Sequence, residues 1–378
     1  MRFSTSKLVD VIRLQRGHDL PERLRKKGSI PVVTSSGVTG SHSESRAKAP
    51  GVVTGRYGTL GEVFYLEEDY WPHNTVLYVV DFQGTHPKFA AYFLRSVIGN
   101  YKSDKAAVPG IDRNVLHAMN VRVPHRDVQP RIASILSTYD EAIENNRRRM
   151  ALLEKAARLL YEEWFVRLHF PGHEHTPVKD GVPQGWENHR VGDVADCIGG
   201  GTPSSKVANY WENGEIPWVT PTDVTRNDHL VLMDTARKIT DAGLENSSAK
   251  LVKAHAVLMT SRASVGFFAI AYREVCTNQG FISIVAHQPS LAHYLLFHLR
   301  HRTDEIRAMG SGSTFPEVSR GKFRDLTILL PPQRLFEAFD EQVAAFLKQI
   351  QVLKGQNQKL RAARDLLLPR LMSGEIEV

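Results

Sequence analysis

The chain repeats itself once at long range, and this constrains its fold more than any other feature. Ile30-Pro31-Val32-Val33-Thr34 returns as Ile216-Pro217-Trp218-Val219-Thr220. Thr54-Gly55-Arg56 returns as Thr260-Ser261-Arg262, Gly61 as Gly266 and Asn74 as Asn278. Pro87, Tyr92 and Leu94 match Pro289, Tyr294 and Leu296, while Pro109, Ile111 and Pro124 match Pro316, Val318 and Pro331. The displacement is 186 positions at Ile30, 206 at Thr54 and 207 from Pro109 onward, so the second copy carries 20 additional residues between Thr220 and Thr260. A period this long means two duplicated domains rather than a solenoid. A chain of 378 residues has room for both.

Each copy reads as a mixed α/β part followed by a long helix. β-Rich runs at Val76 to Val80, Val121 to Val123, Phe281 to Val285 and Thr327 to Leu330 alternate with turn-rich stretches. The spacing predicts helices over Phe89 to Ile98 and Leu291 to Arg302. In the first long helix a 3,4 spacing runs through Leu136, Tyr139, Ile143, Asn146, Met150, Leu153, Ala157, Leu160 and Trp164. In the second it runs through Val343, Phe346, Ile350, Leu353, Asn357, Leu360, Arg364, Leu367 and Leu371. Such stripes form coiled-coil seams, in which a buried Asn costs stability and fixes register. Arg364 is expected at the seam edge, with its stem buried and its head in water. The expected boundaries are a first domain at 1–125, a helix at 126–168, a second domain at 169–332 and a helix at 333–378. From Leu136 to Trp164 is 29 residues, about 43 Å of helix. Antiparallel helices would then hold the two domains apart.

Composition narrows the partner. The net charge is +7 and the pI near 9.3, which fits a polyanion and equally a plain basic protein. Cys197 and Cys276 form no CxxC pair, which points to a reducing, cytoplasmic setting with no structural zinc. The first residues lack the apolar core of a signal peptide, and the longest apolar runs are too short to span a membrane.

Motifs for chemistry are missing. The one Pro-Pro, Pro331-Pro332, lies between Leu330 and Gln333 and does not match the catalytic run of an amino-methyltransferase. Gly321-Lys322 has Pro316 where a P-loop needs its first Gly. No Lys has an acidic residue two positions earlier, and no HExxH is present. Gly199-Gly200-Gly201 fits a phosphate cradle or a tight turn. His293, His298 and His301 share one predicted helix, as metal ligands or as ordinary polar-face histidines. No catalytic and no metal residue is assigned.

Candidate DNA contacts follow from the repeat. Arg56 and Arg262 occupy the same repeat position; Arg113 and Arg320 lie near equivalent stretches, with Lys322 beside the latter. Asn74 and Asn278 suit adenine or a turn cap. The stretches of unequal length, 35–50 with Arg46 and Lys48 and 221–257 with Thr222 and Arg226, are read as polar loops where specificity varies. Asn145-Asn146-Arg147-Arg148-Arg149 suits DNA, an acidic partner face or solvent.

Several runs carry a family likeness. They are Leu367-Leu368-Pro369-Arg370-Leu371-Met372-Ser373-Gly374-Glu375-Ile376, Leu160-Tyr161-Glu162-Glu163-Trp164-Phe165, Phe170-Pro171-Gly172-His173-Glu174 and Gly181-Val182-Pro183-Gln184-Gly185-Trp186. With the duplication and paired heptads, the chain resembles the specificity subunits of Type I restriction–modification systems over essentially its full length. It departs from them at Val123-Pro124-His125-Arg126, less typical than the segment before the second helix. The resemblance implies an α+β protein: two α/β target recognition domains in a pseudo-two-fold arrangement, joined by two long antiparallel helices forming a coiled coil. Each domain would read one half of a bipartite, asymmetric site in double-stranded DNA. Two modification subunits would dock on the helical regions, and restriction (motor-nuclease) subunits would join them. S-adenosylmethionine, ATP and Mg are expected on those partners, with no cofactor in this chain. The competing readings are a coiled-coil scaffold without a DNA role and a solo methyltransferase or nuclease.

Overall fold

The computed structural model describes residues 2–57, 61–99, 110–311 and 316–378. Pro109, used above to align the copies, lies outside them. The chain divides into two compact units, Met1–Glu144 with Asn357–Val378, and Asn145–Gln356. The division runs through both long helices, so each unit holds one α/β domain and a stretch of each helix.

In the first unit, β-branched runs build an antiparallel sheet in the order Arg13–Arg16, Val76–Asp81, Gly51–Gly55, Val63–Leu66. Helix Pro87–Gly99 covers it, burying Phe89, Tyr92, Phe93 and Leu94. A second sheet orders Gly37–His42, Ile30–Thr34, Trp71–Pro72, and Phe3–Lys7 pairs with Asn120–Pro124. Gly51 lies against Tyr70, whose Cε1 would stand 2.2 Å from an added Cβ, so only Gly fits there. The core takes in Ile132 and Leu136 of the first long helix and Leu368 and Leu371 of the second.

The second unit repeats this frame. Its larger sheet runs Ala195–Gly199, Phe281–Ala286, Val257–Thr260, Phe268–Ala271, Val231–Leu232, and Glu187–Arg190 pairs with Thr327–Leu330. Helix Leu291–His301 takes the place of Pro87–Gly99. The smaller sheet runs Arg237–Ile239, Ile216–Val219, Val275–Thr277, Leu251–Val252. The repeat also extends upstream of Ile30. Leu8–Val11 matches Val191–Val194, and Leu8 N–H donates to Met119 O as Val191 N–H donates to Leu326 O.

Strand pairing corrects the repeat alignment by one residue. Val33 lies beside Pro72 and Val219 beside Thr277, and His73 N–H donates to Val33 O as Asn278 N–H donates to Val219 O. Asn278 is therefore the counterpart of His73, not of Asn74. Val53 faces Tyr78 as Leu258 faces Ser283, so the displacement here is 205. Arg56 corresponds to Ser261, and Arg262 to Tyr57. Short matched triplets do not fix a register; the sheet's hydrogen bonds do.

The stretches expected as loops are in part regular structure, while 43–50 carries no helix or strand beyond the isolated bridge of Ala47 to Tyr70. In the first domain Gly37–His42 forms a hairpin with Ile30–Thr34. In the second, helices Pro221–Thr225 and Asp241–Glu245 and strands Val231–Leu232, Arg237–Ile239 and Leu251–Val252 fill the additional segment. Pairing of their backbones supplies the hydrogen bonds a bare loop would have to find in water.

The first long helix is Gln129–Tyr161, ending in a π-helical turn at Glu162–Val166; the second is Gln333–Ser373. Within each unit the two stretches pack antiparallel. In the first, Asn357 Nδ2 donates to Ile143 O at 3.2 Å and Arg364 pairs with Asp140. In the second, Met150 and Ala157 share a core with Val343, Leu347, Ile350 and Leu353. The buried face departs from a strict heptad: Phe346 and Leu367 are half-buried while their neighbours Leu347 and Leu368 are buried. An α-helix drifts against a 3.5-residue repeat, and here the helix ends turn toward domain cores rather than toward a partner helix. Arg364 is also corrected. Its head is not in water but held by Asp140 and Asp365, with the side chain 15% exposed.

Candidate nucleic-acid interface

A recess of the first unit lined by three arginines forms where three backbone segments meet. Arg16 ends strand Arg13–Arg16, opposite Leu77. Arg56 and Tyr57 follow strand Gly51–Gly55, and Ile111 N–H donates to Arg56 O at 2.9 Å. The Asp112 side chain accepts from Asn114 N–H at 2.8 Å, capping helix Arg113–Ala118 and placing Arg113 at its first position. Arg16, Arg56, Tyr57, Gly110, Asp112 and Arg113 thus line a cleft of about 320 Å3. The Arg56 guanidinium stacks 4.6 Å from the Tyr57 ring centroid. Among the described residues no ion pair neutralises Arg16, Arg56 or Arg113. The field there is felt at His117, whose Nε2 accepts from Leu14 N–H at 2.9 Å. Burial, with Arg113 and Arg13 nearby, holds that imidazole below its ordinary pKa.

The second unit builds the same corner from different residues. Gly199 faces Ile282 as Arg16 faces Leu77. Val318 N–H donates to Ser261 O at 2.9 Å, putting Ser261 in the place of Arg56. Arg262 bridges Glu317 as Tyr57 bridges Gly110, and its guanidinium lies 3.6 Å from the Glu317 carboxylate. Ser319 accepts from Lys322 N–H and caps helix Arg320–Arg324, so Arg320 again stands first. Its Nη1 would lie 3.5 Å from a Cβ at Gly199. Arg113 and Arg320 are therefore the shared feature, and the positions around them differ.

Other sequence candidates lie elsewhere. Arg46 sits 5.2 Å over the Trp71 ring. Lys48 bonds Asp69 at 2.6 Å and holds that carboxyl below its usual range. Asn74 donates to Asp19, while Asn278 Oδ1 caps Gly280 N–H at 2.9 Å. Thr222 and Arg226 are exposed on helix Pro221–Thr225 and at its end, and Lys322 is exposed beside Arg320. None of Arg46, Lys48 and Asn74 lines the cleft. Arg16 was not among the candidates; its counterpart is Gly199, so a search for repeated residues passes over it, and strand pairing brings it to the cleft.

Two ambiguous motifs resolve as packing. A Cβ at Gly200 would stand 2.2 Å from Asn278 O, and one at Gly201 2.3 Å from Ser248, so these glycines admit neighbouring backbone rather than a phosphate. His293 and His298 are buried, not polar-face residues. His293 Nδ1 meets Asp340 at 2.7 Å, and His298 Nδ1 lies 3.0 Å from Tyr161 Oη. Among the described residues no group of three His, Cys, Asp or Glu is placed to hold a metal, and no helix is long and apolar enough to cross a membrane. Burial pushes the Cys197 thiol up to about 12 despite Arg324 and Arg320 beside it, a poor setting for a nucleophile.

A family model for the Type I restriction modification DNA specificity domain matches residues 2–155 and 183–362. Over 181 residues the chain is 30% identical to the Type I restriction enzyme MjaIX specificity subunit of Methanocaldococcus jannaschii, covering 47% of this chain and 42% of that one. Over 337 residues it is 21% identical to the HindI specificity subunit of Haemophilus influenzae, covering 73% of each. The crystal structure of a Type I restriction–modification S subunit from M. genitalium shares the fold. It aligns with a TM-score of 0.61 at 14% identity, over 98% of this chain and 96% of that one.

Proposed function

The chain belongs to the Type I restriction modification DNA specificity family, and from that premise we propose that it reads duplex DNA for a multisubunit methyltransferase and endonuclease and performs no chemistry itself. The observation that carries this is the duplicated corner. One scaffold appears twice, keeps one arginine at the same helix start, and changes the residues around it. A protein reading two different half-sites needs that combination. Shared cations on phosphates give affinity and register, and changed side chains at base edges give sequence. A scaffold without a DNA role has no use for two such corners.

Methyl transfer, cleavage and translocation then belong to modification and restriction subunits, together with S-adenosylmethionine, ATP and Mg. The two long helices serve as docking surface and as spacer between the half-sites, in a cytoplasmic complex. The test is co-expression with the modification subunit of the same system, followed by mapping of adenine methylation across a plasmid. Methylation at one bipartite motif, lost when this chain is left out, supports the reading. Methylation of the same motif without this chain, or a complex that never binds DNA, refutes it.

A further inference from the structure

The two corners allow a finer assignment, which rests on the DNA-reading role proposed above. Positions fall into two classes when the units are compared by backbone pairing. Arg113 and Arg320 are the same residue at the same place. Around them Arg16 becomes Gly199, Arg56 becomes Ser261, and Tyr57 becomes Arg262. A contact that any sequence can satisfy is free to be the same in both halves; a contact to base edges must differ where the bases differ.

We propose that Arg113 and Arg320 grip a backbone phosphate, and that positions 16, 56 and 57, and their counterparts 199, 261 and 262, select the base pair read at each corner, a guanine in the first. Guanine is assigned by chemistry. A guanidinium presents a planar fork that matches the O6 and N7 acceptors of guanine in the major groove. The first corner offers two such forks, neither neutralised among the described residues, and Arg56 is held on the Tyr57 ring before any ligand arrives. A fork ordered in advance loses less freedom on binding. The second corner lacks both forks. Its one arginine from this group, Arg262, already faces the Glu317 carboxylate, so its base preference differs from the first.

The experiment uses the complex with its modification subunits and measures binding to duplexes carrying the mapped site and each single base-pair change. Arg56→Lys and Arg16→Lys keep the charge and remove the fork. At least one of them is expected to lose about tenfold or more discrimination at one G·C pair of one half-site. Preference in the other half-site should stay as in the wild type, which also reports that the variant is folded. Arg113→Gln should weaken all duplexes by a similar factor and lower the salt slope by about one. The assignment is overturned if both lysine variants leave every base preference unchanged, if they weaken all duplexes equally, or if the affected pair lacks guanine. A wild-type complex with no sequence preference would instead remove the DNA-reading role, and this assignment with it.

Discussion

His298 shows how much one side chain can be asked to do inside the second unit. Its ring lies between Tyr161 and Tyr294, with Nδ1 at 3.0 and 3.2 Å from their hydroxyls. Arg302 Nη1 lies 3.4 Å from Nε2; arginine only donates, so Nε2 accepts and Nδ1 carries the proton. Burial, reinforced by the Arg302 charge, pushes the pKa down to about 3. In the unfolded chain the same group titrates at about 6.5. Between these values the unfolded state binds the extra proton, so stability falls as pH drops from about 6.5 toward 3 and is fully retained above that window. Thermal unfolding of the second unit should show this acid loss, and His298→Phe should flatten it. An equal pH dependence in the variant would show that other groups carry it. Lys354 is a second group whose titration is shifted by burial. Burial lowers its pKa to about 8, and its Nζ donates to Asn227 Oδ1 at 2.7 Å and Val231 O at 2.8 Å.

At the level of elements, the long helices are held to their domains by partly buried ions as well as by apolar packing. In the first unit Asp140 accepts from Tyr92 Oη at 2.6 Å and from Arg364 of the other helix. One carboxylate thus joins helix Pro87–Gly99 to both long helices. Asp140→Ala removes the acceptor from a buried phenol and one of two carboxylates from Arg364, and is expected to cost about 2–3 kcal/mol. Adding Arg364→Met should recover part of that loss, because the uncompensated charge leaves with it. Urea unfolding of the single and double variants measures this, and purely additive losses would contradict the coupling. In the second unit the corresponding ties reach the additional segment. Glu154 accepts from Leu230 N–H and from Arg300, both at 3.0 Å. Glu154 thus ties Leu230 of the additional segment to the first long helix and to helix Leu291–His301.

At the scale of the whole molecule, the spacer role makes a quantitative claim. Removing one heptad from each helix, 143–149 with 350–356, keeps the 3,4 spacing on both sides of each cut. It shortens the helices by about 10 Å, or about three base pairs of duplex. Methylation mapping of the deletion complex should return the same half-sites with a gap shorter by about three base pairs. An unchanged gap would show that the helices do not measure the distance. Exchange of the first α/β domain for one from another family member should change one half-site and leave the other intact.

Legible in the sequence are the duplication, the strands at 76–80, 121–123, 281–285 and 327–330, and the two long amphipathic helices. These are written in local periodicity and in repeated segments, which survive without knowledge of any contact. It also carried the buried Asn357 and the shared Arg113 and Arg320. The remaining features depend on contacts between residues far apart in the chain. The register of Arg56 against Ser261, and of Asn278 against His73, is set by hydrogen bonds between strands far apart in the chain. A shift of one residue there exchanges one side chain for its neighbour on the opposite face. Arg16 joined Arg56 and Arg113 because sheet pairing brought three distant segments to one edge. His293, His298 and Arg364 looked like surface groups in a linear pattern and were buried by partners that periodicity cannot name: Asp340, Tyr161 and Asp140.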